Sequence, residues 1–233
     1  MVTGMRILHV ADIHYHQAWF QWISRESVNY DVLVIAGDLL NAFPFERTSL
    51  PQQAKFVQGW LKTLAKPTVA CTGNHDIWVD NPLVTTDVRA EGGWLQLCKR
   101  DGLVVDGQAA TIHGEKFAAV KWGDTNWPDD ATIVVSHAPP AEARVGINSA
   151  GIDWGDFEIS MRVWEKRPAI LLSGHVHEAV EWAVFEGATW CFNPGCDMKA
   201  QVSNHIVIDT TKKIACWNST RRGCVTKQLT EQI

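Results

Sequence analysis

The sequence predicts an α/β fold, and three observations carry the prediction. Apolar runs of strand length alternate with segments of helical periodicity over the first 72 residues. That order favours a mostly parallel sheet, because parallel neighbours need a crossover and a helix usually supplies it. The second half changes to short β-rich runs around one further helical segment.

In chain order, "MRILHVA" (5–11) reads as a buried strand. A helix over 17–28 follows, with Ala18, Trp19, Trp22 and Ile23 on its buried face. "DVLVIAG" (31–37) is the second strand, and "PQQAKFVQGWLKTLA" (51–65) is a helix opened by Pro51, whose fixed φ suits a first turn. "TVACT" (68–72) is the third strand. Beyond it, "AATIHG", "FAAVKWG" and "TIVVSH" (132–137) are short strands, "FEISMRVWEKR" (157–167) is a helix and "PAILLSG" (168–174) a strand. "AVEWAVF", "ATWCF", "NHIVID" and "KIACW" suit hairpins, so the later strands are expected to be largely antiparallel. No repeat, linker or low-complexity run divides the sequence, which reads as a single domain over 1–233.

Composition narrows the function. With 46% hydrophobic and 20% charged residues the chain can bury a core, which excludes a disordered protein. A net charge of −5 leaves no basic footprint for nucleic acid, so contact with a polyanion would have to be local. The apolar runs are strand-sized, far short of a membrane span, so no membrane partner is expected. At the N-terminus Asp12 and His14 interrupt the apolar run at once, unlike a secretory leader. The six cysteines form no paired framework and are expected to be buried free thiols in a reducing, cytoplasmic setting. Most of the twelve tryptophans are expected in the core.

The informative pattern is where the polar residues fall. Asp12 and His14 follow the first strand, Gly37 and Asp38 the second, and Asn74, His75 and Asp76 the third. His137 ends "TIVVSH", and His175 and His177 end "AILLSGHVH". Each cluster lies just beyond the carboxyl end of an expected strand, where open α/β sheets bind ligands. In extended backbone residues i and i+2 share a side, so Asp12 acts with His14 and His175 with His177. Carboxylate, imidazole and amide donors suit a divalent cation such as Mn²⁺, Fe²⁺ or Zn²⁺, and the lack of cysteine argues against a closed structural zinc site. Gly37-Asp38 alone would be an ordinary strand-ending turn, and "GHVH" alone a solvated loop. All of them in order at strand ends make a metal site the better reading. His9, His113 and His205 fall within expected strands and read as satisfied structural histidines, while His16 could stand at the rim of the same crevice.

The ordered set "DIH" (12–14), "GD" (37–38), "GNHD" (73–76), "SH" (136–137) and "GHVH" (174–177) resembles the calcineurin-like metallophosphoesterase family. "NPG" (193–195) also resembles a family segment, with Cys196 where relatives often carry Ser. The resemblance implies a four-layer α/β/β/α sandwich with two divalent metal ions at one edge, Mn²⁺ favoured and Fe²⁺, Zn²⁺ or Mg²⁺ possible. It implies Asp12, His14, Asp38 and His177 on one ion and Asp38, Asn74, His137 and His175 on the other, Asp38 bridging. His75 would face the substrate phosphate, with Asp76 holding its ring. The implied reaction is hydrolysis of a small phosphate ester by a hydroxide that the metals activate.

A scaffold that has lost its metals is the non-enzyme alternative, and the intact ligand list speaks against it. Phosphomonoesterase, protein phosphatase and DNA nuclease remain alternatives within the family; the chain lacks the long recognition loops of the second and the capping segments of the third. The segment "APPAEARVGINSAGIDWGDF" (138–157) leaves His137 directly and has no periodic pattern, as expected of a substrate wall. It offers Arg144 for a phosphate, and Trp154 either to stack on a flat group or to anchor the loop in the core. A small net positive charge at the metals would suit a singly charged diester, so a phosphodiesterase acting on a small or nucleotide-type substrate is the leading expectation.

Overall fold

The structure, a computed structural model, describes residues 4–43, 45–78 and 93–230. Its elements follow in the order β1 (Arg6–Val10), α1 (Gln17–Glu26), β2 (Val32–Ala36), α2 (Leu50–Thr63), β3 (Thr68–Cys71), β4 (Leu103–Val104), β5 (Ala109–Ile112), β6 (Glu115–Val120), β7 (Ile133–Ser136), α3 (Phe157–Lys166), β8 (Ile170–Leu172), β9 (Ala183–Glu186), β10 (Thr189–Phe192), β11 (His205–Asp209), β12 (Ile214–Ser219) and β13 (Gly223–Gln228). Two sheets result, one ordered β13-β12-β11-β1-β2-β3-β4 and the other β5-β6-β7-β8-β10-β9.

Strand alternation distributes the apolar side chains over two faces. Ile7, Val32, Val34 and Val69 of the first sheet meet Phe117, Val135, Leu172 and Phe192 of the second in a shared core. Leu8, Val10, Leu33 and Ile35 point the opposite way, onto Trp19 and Phe20 of α1 and Val57 and Leu61 of α2. Behind the second sheet, Val134 and Leu171 pack on Ile159 and Val163 of α3. The layers therefore run helix, sheet, sheet, helix. Each fully buried side chain of this size contributes about 1.5–3 kcal/mol.

Local signals place the helices. The Gln52 side chain accepts the Ser49 N–H at 3.3 Å, closing a capping box with Pro51 inside the first turn of α2. The Asp156 carboxylate accepts the N–H groups of Glu158 (2.8 Å) and Ile159 (3.1 Å), and Arg167 in the left-handed region ends α3.

β1 to β4 are parallel, with α1 and α2 supplying the crossovers among the first three. The expectation of largely antiparallel later strands holds only in part. β11, β12 and β13 add antiparallel strands beside β1. In the second sheet, however, β6, β7, β8 and β10 are parallel, and antiparallel pairs occur at the outer strands β5 and β9. α3 carries the chain across the outer face between β7 and β8, so that β8 returns in the direction of β7. Residues 121–132 join β6 to β7, and β9 lies between β8 and β10 in sequence.

Two smaller expectations are corrected. Cys71, Cys98, Cys191 and Cys196 are buried free thiols, but Cys216 and Cys224 join β12 to β13 as a disulfide. The hairpin register, which pairs Asn218 with Cys224 and Cys216 with Thr226, sets those two cysteines on neighbouring strands. His113 lies in the turn after β5 with φ 50°, outside the strand. His9 is fully buried in β1, with both ring nitrogens lacking a hydrogen-bond partner among the described residues, and burial pushes its imidazole down to about 3. His205 Nδ1 hydrogen-bonds the Ser203 carbonyl at 2.9 Å and its ring packs on Trp22.

Candidate metal centre

The loops after β1, β2, β3, β7 and β8 carry the sequence-predicted residues, and backbone hydrogen bonds tie them together. Asp12 N–H donates to Gly37 O (3.1 Å), His14 N–H to Asp38 O (2.8 Å) and Gly174 N–H to His137 O (3.0 Å). Asp12, His14, Asp38 and His175 hold φ values of 53°, 44°, 51° and 70°. Non-glycine residues avoid this region, and such conformations persist where the surroundings over-determine them, commonly at functional sites. Glycine serves where space runs out. A Cβ on Gly73 would run into Asp38 Oδ1, and one on Gly174 would sit 2.8 Å from Asp12 Oδ2.

Donor atoms from both sheets converge. Asp12, His14 and His177 offer one ligand atom each within 4.8 Å of one another, and so do Asp12, Asp38 and His137, and His14, Asp38 and His75. Asn74 Oδ1 lies 3.1 Å from His137 Nε2 and 3.0 Å from His175 Nδ1. Asp38 Oδ2 lies 3.3 Å from His137 Nε2 and 3.8 Å from His14 Nε2, so this carboxylate stands between two sets of imidazoles.

These atoms are the wrong kind to face one another without a cation. His137 Nδ1–H donates to Ala36 O at 2.8 Å, which leaves Nε2 of a neutral ring as a lone pair aimed at two oxygens. His14 Nε2 and His177 Nε2 lie 3.0 Å apart, where one ring donates and the other accepts. The His137 lone pair and the oxygens it faces repel unless a positive charge lies among them. In the protein alone a proton on His137 does that: burial opposes charging the ring, but the Asp38 carboxylate overrides it and holds the pKa up at about 9. Burial keeps His14 and His175 down at about 4, hence neutral donors near neutral pH. Burial would raise Asp12 and Asp38, yet His177 and His137 respectively keep them below the ordinary carboxylate range. Two carboxylates, neutral imidazoles and an amide oxygen, with no thiolate, fit borderline divalent cations.

His75 and Asp76 depart from expectation. Asp76 does not hold the His75 ring. It is fully buried, and its carboxylate accepts the backbone N–H groups of Leu39 (3.2 Å), Leu40 (2.8 Å) and Gly73 (2.7 Å), clamping the β2 and β3 loops together. The His75 ring is oriented by Ala42, whose N–H donates to Nδ1 at 3.2 Å, with Phe43 packed at 4.5 Å. A neutral ring accepting at Nδ1 carries its proton on Nε2. Asp38 Oδ1 also accepts the His75 N–H at 2.8 Å.

Beside these donors opens a cleft lined by Asp38, Asn74, His75, Asn148, Ser149, Trp154, His175, Val176, His177 and Glu178. Trp154 is 54% exposed and meets the His175 ring edge-on at 6.4 Å, so it borders the cleft and does not anchor its loop in the core. Arg144, from the same loop, is not brought to the cleft; it pairs with Glu181 at 3.5 Å. His16 precedes α1, stacks on Trp19 at 4.5 Å, and is neither in the cleft lining nor in any of the donor groups. Sequence reading missed Trp122, whose ring packs on His137 and His175, because nothing near it in sequence marks it. It also missed Asn193. The Asn193 side chain donates to Val145 O, Gly174 O and Val176 O and accepts the Gly195 N–H, holding three loops, and the "NPG" run was its signal.

The family model described as calcineurin-like phosphoesterase matches residues 5–179. A protein of Synechococcus sp., described as a probable cyclic nucleotide phosphodiesterase, is 24% identical over 161 residues, 64% of this chain and 58% of that protein. The match thus spans less than two thirds of that relative. The purple acid phosphatase PPD1 from yellow lupin seeds superposes with a TM-score of 0.58 at 10% identity, covering 97% of this chain and 54% of that one. The protein TT1561 of Thermus thermophilus gives 0.55 at 15% identity, and the E. coli phosphoesterase Yfce gives 0.50 at 17%, each covering 97% of this chain and 100% of its own. At these identities the solved structures are similar in fold alone.

Proposed function

The chain belongs to the calcineurin-like phosphoesterase family, and from that premise we propose that it is a metal-dependent phosphodiesterase acting on a small or nucleotide-type ester. Asp12, His14, Asp38 and His177 would hold one divalent cation, and Asp38, Asn74, His137 and His175 the other, with Mn²⁺ favoured. Bound there, the cations supply positive charge for the phosphate oxygens and a water of lowered pKa. The protein supplies the rest. His75, fixed at Nδ1 by Ala42, directs its Nε2–H to a phosphoryl oxygen or to the departing oxygen. Trp154 gives the rim an apolar wall for the ester group.

One observation carries the preference for diesters. Among the described residues that line the cleft there is no lysine or arginine, and the acid at its rim, Glu178, is paired with Arg221, which is not among those residues. A doubly charged monoester would find no protein cation to neutralise it, whereas a singly charged diester is matched by the metals alone. The curated relative described as a probable cyclic nucleotide phosphodiesterase points to the same class. The test compares bis-p-nitrophenyl phosphate with p-nitrophenyl phosphate at saturating Mn²⁺, with and without chelator. Faster, chelator-sensitive turnover of the diester is expected, and a clear preference for the monoester overturns the reading.

A further inference from the structure

A second cavity, of about 160 Å³, adjoins the cleft, and Ser149, His177 and Glu178 line both. Its far wall comes from the "NPGC" loop and the β12–β13 hairpin, elements outside the metal donor set. Three features give it the character of a built site. Asn204 lines it, is 6% exposed, and has an Oδ1 with no hydrogen-bond partner among the described residues. A buried amide oxygen without a donor is a standing cost, one that a rotation of the side chain toward an N–H group bound in the cavity would relieve. The Trp217 indole forms a flat side, held by its N–H donating to Pro194 O at 2.8 Å and by stacking on Trp182. Arg222 lies over that indole at 5.9 Å and makes no ion pair among the described residues.

The charge of the lining selects the ligand. Arg221 is shared by Glu178 (2.6 Å) and Asp197 (3.0 Å), and Arg222 balances the remaining negative charge, so the pocket has no cluster of free cations for a second phosphate. Its volume is close to that of an engineered cavity of about 150 Å³ that accepts benzene, so it admits one ring. An amide side chain recognises an edge carrying adjacent N–H and C=O groups, and a guanidinium stacks on flat heterocycles. Resting on the phosphodiesterase reading, we infer that this cavity is a specificity subsite for one ester arm of the substrate: a neutral single-ring heterocycle with an amide edge, of the pyrimidine nucleobase type, read by Asn204 and covered by Arg222.

The experiment uses the full chain with Mn²⁺ and two esters, thymidine 5′-(p-nitrophenyl phosphate) and bis-p-nitrophenyl phosphate, together with calorimetric titration of thymidine alone. Asn204→Ala should lower kcat/KM for the thymidine ester by roughly tenfold, the worth of one buried hydrogen bond, and leave the second ester within about twofold. It should weaken thymidine binding by a similar factor. Arg222→Ala, at an exposed position where folding is not at risk, should lower the thymidine ester alone, by about threefold. Equal losses on both esters, or wild-type protein that cleaves bis-p-nitrophenyl phosphate yet does not bind thymidine, would overturn the subsite and leave the phosphodiesterase reading standing. Should the wild type cleave neither ester, that reading falls, and the thymidine titration with the two variants still decides the pocket.

Discussion

Asp38 is the residue on which most of the candidate centre depends. Its carboxylate belongs to two of the donor groups and also accepts the His75 N–H. Asp38→Asn removes the charge between the two sets of imidazoles, so both metals should be lost and turnover abolished while circular dichroism stays native; two tightly held metals with near-normal activity would refute the bridging role. His75→Ala should keep both metals and lower turnover by about 10²–10³, the usual cost of a lost donor at developing charge. Because His75 also lies near His14 and Asp38, metal analysis of that variant separates the two roles: a lost metal would make it a ligand. Asp76 acts differently. Asp76→Asn turns an N–H₂ group toward at least one of three backbone N–H donors, so stability should fall by about 1–3 kcal/mol in urea unfolding. Metal affinity should weaken with it, because the loops carrying Asp38 and Asn74 lose their clamp.

At the scale of elements, the end of β3 is set by a buried carboxylate outside the centre. Asp106 accepts the Thr72 N–H (2.8 Å) and hydroxyl (2.9 Å), fixing the chain just before Gly73 and Asn74. Burial pushes its pKa up from 3.8 to about 6. The sign follows from proton counts: between these values the folded state holds a proton that the unfolded state has lost, so this group's contribution to stability falls as pH rises from about 4 to 6. The full effect is about 3 kcal/mol. Asp106→Asn cannot titrate, and its amide can still accept from the backbone and donate to the hydroxyl. Unfolding at pH 4 and pH 7 should show the variant losing less stability than the wild type across that interval. An identical pH slope in both proteins would mean that Asp106 titrates normally.

At the scale of the molecule, the donors join two sheets. Asp12, His14, Asp38 and Asn74 follow strands of the first sheet, and His137, His175 and His177 follow strands of the second. An unfolded chain cannot gather them, so cations bind the folded state and stabilise it by mass action, about 2.7 kcal/mol at a hundredfold excess over Kd. For a chain of 233 residues that corresponds to a rise in Tm of roughly 5–11 °C. Thermal melts with Mn²⁺ and with chelator should differ by such an amount, while Asp38→Asn melts the same way in both. A wild-type Tm indifferent to metal would exclude a cation bridging the sheets.

The residues that the structure gathers into the candidate centre were legible because their constraint is local. A donor must be Asp, His or Asn, and the order of such residues at successive strand ends marked the candidates. The extended backbone expected for the i, i+2 pairs is absent, however: Asp12, His14 and His175 hold positive φ. The alternation of apolar runs likewise implied that β1, β2 and β3 are parallel, since a helical crossover permits little else. Contacts between segments distant in the chain were not legible. Asp76 follows His75 directly, yet the short helical turn Asn74–Asp76 sends its carboxylate inward to Leu39 and Leu40, and Ala42 takes over the imidazole. The parallel order of β6, β7, β8 and β10 depended on how the connections between them crossed the sheet, and only that between β7 and β8 runs through a helix, α3. The pairing of Cys216 with Cys224 depended on hairpin register, and the exposure of Trp154 on how its loop folded over the cleft. Residue type and spacing determine what a segment can do with its immediate neighbours; its distant partners are chosen by the packing of the two sheets and their covering helices, where many weak contacts compete and the sum decides.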